Sequence, residues 1–107
     1  MTVVVHPDYL QEVRFAAAGP QPQVWLDSPT LKVVLVGLEP GQRLPAHPGP
    51  AGVYHFLEGS GWMTVADERH AVRAGATVVV PDGARRGIEA ETRLAFLGVR
   101  AQAEAGG

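Results

Sequence analysis

The stretch Gly41–Gly61, GQRLPAHPGPAGVYHFLEGSG, has two halves of opposite character. From Gly41 to Ala51 it is rich in glycine and proline and carries one histidine, His47. This is the composition of a connecting loop, because proline cannot donate to a strand ladder. Gly52 to Glu58, GVYHFLE, is a strand-length run with β-branched and aromatic side chains, and Gly59-Ser60-Gly61 closes it with a tight turn.

The same rhythm continues towards the C-terminus. Trp62 to Ala66 reads as the partner strand, Asp67-Glu68 as a turn, and Arg69 to Arg73 as the next strand. Gly75 restarts the pattern with Ala76 to Val80, and Pro81-Asp82-Gly83 ends it. Ile88 to Ala90 and Leu94 to Val99 follow, and the small residues of 101–107 predict a flexible tail.

Towards the N-terminus, Leu31 to Leu38 (LKVVLVGL) is a strand too apolar for one wet face. It is expected to be covered on both sides or to lie at a subunit contact. Gln23 to Asp27 precedes it across a Ser28-Pro29 turn, and Gly19-Pro20-Gln21-Pro22 separates that strand from Val13 to Ala18. Met1 to Val5 is read as a short strand, and Pro7 as the start of a helical turn over residues 8–12. The organisation predicted is an arm with a first strand (1–22), a β-barrel (23–100) and the tail (101–107). Short strands at even spacing, without a long amphipathic helix, make the fold class all-β: a small sandwich or barrel.

A chain of 107 residues, 46% hydrophobic and 19% charged, builds one globular core. No run approaches the ~20 apolar residues of a membrane span. His6-Pro7 breaks the N-terminal apolar run, and no basic segment precedes it, so a soluble, cytoplasmic protein is expected. The absence of cysteine removes disulfides and thiolate chemistry. The net charge of -2 comes from scattered residues and offers no footprint for nucleic acid or an acidic membrane.

Pro40-Gly41-Gln42, then Val53 to Gly61 (VYHFLEGSG), then Gly75 followed after five residues by Pro81-Asp82-Gly83, resemble the two signatures of the single-domain cupins. The resemblance spans about residues 33–99. It implies a conical jelly-roll barrel, often dimeric, with a pocket at its wider mouth. It also implies three histidines and a glutamate around Mn, Fe, Ni or Zn, a ligand set suited to those ions. Position by position, His47 falls on the first histidine, Gly49 on the second, Gly52 on the glutamate and Arg86 on the third histidine. In an alternative register His47-Pro48 matches the second histidine and the proline after it. In both registers one of the four ligands survives, so no tightly held metal is expected. His55 sits on the strand with alternation against it, pointing outwards, and would join His47 as a metal pair only across a bulge at Gly52. His6 and His70 read as exposed polar residues.

The pocket implied by the resemblance is then built from His47, Tyr54 and Arg86 against Phe56 and Met63. An arginine grips carboxylate or phosphate, and an aromatic face packs on a ring, so a small polar or anionic ligand is expected. Three functions stay open: a metal-free binding protein, an isomerase, epimerase or lyase with His47 and Tyr54 moving protons, and a structural dimerisation module. For Arg86 the plainer alternative is a solvated loop residue paired with Glu89 or Glu91. Trp62, Thr64 and His55 are assigned to the outer face. There Trp62 calls for cover by the arm or by a second subunit, and a homodimer is expected.

Overall fold

Among the described residues, alternation and glycine-punctuated turns produce nine strands: β1 (Gln21–Asp27), β2 (Leu31–Leu38), β3 (Arg43–His47), β4 (Gly52–Glu58), β5 (Ser60–Val65), β6 (Glu68–Arg73), β7 (Thr77–Val80), β8 (Arg86–Ala90) and β9 (Leu94–Ala101). The structure is a computed structural model and describes residues 2–102. One sheet has the order β1-β2-β9-β4-β7 and the other β3-β8-β5-β6, every pair antiparallel.

The core between the sheets follows from strand parity. On β2 the inward positions are Lys32, Val34, Val36 and Leu38; on β9 they are Leu94, Phe96, Gly98 and Arg100; on β4 they are Gly52, Tyr54 and Phe56. Registry stacks these into rows. Val36 lies opposite Phe96, which lies opposite Phe56; the next row is Val34, Gly98 and Tyr54; the outermost is Lys32, Arg100 and Gly52. The rows grade from fully buried Phe56 and Leu38, through half-buried Val34 and Tyr54, to the cations at one end.

The outer side of the five-stranded sheet is partly covered by residues 6–17. Gly37 is bare because this layer touches it: a Cβ there would collide with the Arg14 carbonyl and lie 3.1 Å from the Phe15 ring. Gln42 Nε2 donates to the Ala16 carbonyl at 2.6 Å, and the Tyr9 hydroxyl donates to the Leu57 carbonyl at 3.3 Å. Burial, and then the neighbouring Glu58 carboxylate, raise the Tyr9 pKa above its ordinary value. His6 stacks on Trp25 at 3.9 Å between ring centroids, its Nδ1 2.9 Å from Glu12.

Several expectations are corrected. Residues 2–5 form no strand; Val3, Val4 and Val5 are exposed, while a single turn of 3-10 helix does form at Tyr9–Gln11. Gln21-Pro22 does not precede the first strand but opens it, which an edge strand permits because its outer ladder positions need no donor. The proline-rich stretch before His47 is the strand β3, with Pro45 placed where the register shifts between Leu44 and His47. The turn between β5 and β6 is Ala66-Asp67, both at positive φ, rather than Asp67-Glu68. The second cover of β2 comes from the chain's own arm at Gly37, so two-sided burial of that strand does not by itself call for a partner. The arm packs on Trp25, whereas Trp62 lies beneath the Arg69 guanidinium, 3.9 Å from its ring centroid. His6 is half-buried by its stacking partner, not exposed. β9 runs to Ala101, and Gln102 hydrogen-bonds Asp27 Oδ1 at 2.9 Å; residues 103–107, the rest of the predicted tail, lie outside the described residues.

Gly37→Ala is expected to cost about 1–3 kcal/mol and to release the arm without dissolving the sandwich. Limited proteolysis would show cleavage within residues 6–17 before any cut in β2–β9; an arm as protected as in the parent protein would refute this packing.

Candidate functional site

Where the inward rows of the two sheets diverge they enclose a cavity of about 520 Å³. Its floor is Val34, Val36, Leu44, Ile88 and Phe96, with Val24 and Pro22 of the edge strand at one side. Around the mouth stand Lys32 and Arg100 from the five-stranded sheet and Arg43 and His47 from β3, with Arg86 and Tyr54 completing the wall. Among the described residues no carboxylate lines it.

Three of the sequence-predicted residues, His47, Tyr54 and Arg86, thus share one cavity. Phe56 and Met63 do not line it. Both are fully buried one layer deeper: Phe96 packs against Tyr54 and Phe56 at centroid separations of 5.9 and 5.7 Å and closes the floor over Phe56, and Met63 lies behind its ladder partner Ile88. His55 is on the other side of its strand, its Nδ1 2.6 Å from Thr77 Oγ1, and does not reach the cavity that His47 lines.

Arg86 departs furthest from the plain reading of the sequence. It is the first residue of β8, 3% exposed, and forms no ion pair with Glu89 or Glu91 among the described residues; Glu89 instead lies 3.9 Å from Arg69. Its guanidinium is held by backbone oxygens. Nε donates to the Ala84 carbonyl at 3.1 Å, and Nη2 donates to the carbonyls of Gly49 at 2.8 Å and Ala84 at 2.9 Å. Nη1 donates to the Pro50 carbonyl and, more weakly, to the Tyr54 hydroxyl at 3.4 Å. These five contacts occupy the five N–H groups of a guanidinium. A buried charge left without such partners costs several kcal/mol, so the network is the condition for Arg86 being there at all.

The same geometry explains two of the substituted positions. A Cβ on Gly49 would sit 3.3 Å from Arg86 Cζ, and a Cβ on Gly52 would sit 3.3 Å from the Tyr54 ring and 3.1 Å from the Val99 carbonyl. The guanidinium and the phenol fill the space into which side chains at 49 and 52 would project. His47 is exposed and its Nδ1 donates to the Pro45 carbonyl at 3.0 Å, which leaves Nε2 as the free ring nitrogen. The residues present therefore do not fit the divalent ion that the resemblance implies. One imidazole nitrogen remains, two positions lack side chains, and the fourth brings a fixed positive charge. Among the described residues no group of three or more His, Cys, Asp or Glu could hold a metal.

Lys32, Arg43 and Arg100 were not singled out by the sequence. For Lys32 and Arg100 the available signal was parity; Arg43, next to inward Leu44 and opposite Glu89, carries no such signal. Lys32 precedes Val34 and Val36 by two and four positions, and Arg100 follows Gly98 and Phe96 in the same way, so each shares the inward face of an apolar strand.

No family model and no curated protein matches this sequence. Solved structures do. A conserved protein of unknown function from Streptococcus pyogenes is 24% identical, with 98% of this chain and 93% of that one covered and a TM-score of 0.86. An RmlC-like cupin protein from Desulfovibrio desulfuricans is 26% identical over 94% of this chain and 97% of its own, with a TM-score of 0.82. An RmlC-like cupin from Shewanella frigidimarina is 20% identical over 79% and 78%, with a TM-score of 0.74. With two antiparallel sheets, a cavity between their divergent ends and these neighbours in fold, the chain has the fold of the small single-domain cupins.

Proposed function

We propose that this cupin-fold chain is a binding protein whose cavity takes a small organic anion with an apolar body, without a tightly held metal. The observation that carries this reading is the composition of the lining: Lys32, Arg43, Arg86, Arg100 and His47, with no carboxylate among the described residues, around a floor of aliphatic and aromatic carbon. Cations that converge on a low-dielectric cleft raise the local concentration of anions and hold a charged group more strongly than cations spread over a surface. The apolar floor adds roughly 25 cal/mol per Å² of ligand carbon withdrawn from water.

Within this reading Arg86 contributes charge and shape, not a bidentate grip, since its N–H groups are committed to carbonyls and to Tyr54. Direct hydrogen bonds to the anion fall to Arg43, Arg100 and Lys32, whose side chains are more exposed. The free Nε2 of His47 favours a second reading, in which the bound anion exchanges a proton there as part of an isomerase or lyase reaction.

We also propose that two copies associate through the outer side of the five-stranded sheet. Leu26, Val33, Val99, Val53 and Val79 follow one another across that sheet in register, and Val79 is 73% and Val53 38% exposed. A continuous aliphatic stripe of this kind is self-complementary under two-fold symmetry.

Thermal shift with octanoate against octanamide, isosteric but neutral, tests the anion site. Octanoate at about a hundred times its Kd is expected to raise Tm by roughly 10 °C, octanamide by little, and Arg43→Gln with Arg100→Gln to abolish the difference. Equal shifts from acid and amide would refute the reading. The recovered octanoate should be unaltered; an altered compound, with the change lost in His47→Ala, would favour the enzyme. Arg86→Lys should lower Tm by an amount equivalent to about 2–4 kcal/mol, because an ammonium cannot reach the same carbonyls in one plane; an unchanged Tm would show that the network carries no stability. In light scattering the parent protein is expected at twice the mass of one chain and Val53→Arg/Val79→Arg at the mass of one; a monomeric parent would remove the dimer proposal.

A further inference from the structure

From the placement of the cations we infer that the ligand is a dianion, a molecule with acidic groups at two ends and carbon between them. This rests on the reading of the cavity as an anion site and specifies which anions it takes.

The cations fall into two groups on facing sheets. Lys32 and Arg100 are direct cross-strand partners on β2 and β9, both in the inward row and both half-buried. Like charges directly opposite one another destabilise a sheet, and among the described residues neither member of this pair has an ion-pair partner. The other cross-strand partner of Arg100 is Gly52, which has no side chain to offer. The other partner of Lys32 is Asp27, whose Oδ1 accepts from Gln102 Nε2 at 2.9 Å. Among the described residues no carboxylate lies within 4.0 Å of either cation.

The second group belongs to the four-stranded sheet. His47 lies across the ladder from Arg86, and Arg43 stands on the same strand as His47. Arg43 pairs in register with Glu89 and shares the outer border of the sheet with it, Trp62 and Arg69, so it stands at the rim of the cavity while Arg86 and His47 face into it. Facing sheets stand about 10 Å apart, and the carbon between the two groups is Val34, Leu44, Ile88 and Phe96. A single carboxylate held at one group leaves the other uncompensated. A chain with an acid at each end answers both and lays its methylenes on the floor.

The α,ω-dicarboxylates from butanedioate to octanedioate, each compared by calorimetry with the monocarboxylate of equal carbon number, test this. The best dicarboxylate is expected to bind about tenfold more tightly than its monoacid. That advantage should vanish in Lys32→Gln/Arg100→Gln, where diacid and monoacid are expected to bind with equal affinity. The same double variant is expected to raise Tm of the ligand-free protein, since it removes the facing like charges; a lower Tm would overturn the argument from repulsion. Equal affinity of monoacid and diacid at every length in the parent protein, or a diacid advantage that persists undiminished in the double variant, would overturn the two-ended ligand and leave a one-ended anion site standing. No binding of any acid would overturn the anion site itself, an outcome distinct from the first.

Discussion

A guanidinium can be buried only where every N–H has an acceptor, and that requirement organises one end of this molecule. The carbonyl acceptors of Arg86 come from two connections distant in sequence, Gly49 and Pro50 between β3 and β4, and Ala84 between β7 and β8. Meeting the requirement draws these two loops together; the amide of Gly83 also donates to the Gly49 carbonyl at 2.8 Å. The bare Cα of Gly49 is a consequence, since the charge occupies the space beside it. The wall behind His47 and Tyr54 is thereby closed with a cation, and the rows of side chains above it decide what shares the cavity.

Much of the fold is legible because antiparallel strands advertise themselves locally. Gly59, Gly75 and Gly83 mark turns, all three at positive φ, and the runs between them alternate. What stays hidden depends on distance in sequence. Pro45 makes residues 43–47 resemble a loop, because the register shift that accommodates a proline is a property of the β3–β8 pair and not of β3. The turn at Ala66-Asp67 lacks the glycine or asparagine that left-handed backbone favours, so its position slips by one residue. The arm's cover of Gly37 is an approach between residues more than twenty apart, and a strand that reads as a subunit contact is satisfied within its own chain.

The site was legible in part for the same reason. His47 and Tyr54 stand next to recognisable turns and a recognisable strand, and alternation alone assigns Tyr54 to the cavity and His55 to the other side. Arg86 is obscured because the apolar part of β8 begins at Ile88, although parity with Ile88 and Ala90 points it inward. Alternation does not give depth. Tyr54 and Phe56 share a face, yet only the register with Phe96 and Gly98 shows that one borders the cavity and the other lies beneath it.

The buried guanidinium also differs in kind from a bound ion. A charge carried by a side chain is made when the chain is made, in a ratio of one to each copy, and neither an external supply nor a competing cation alters it. It has no redox couple through which an oxidant could change it. The cost is inheritance: a site of this type is tuned by mutation alone, and a change at Arg86 reaches the loops that hold it as directly as it reaches the cavity.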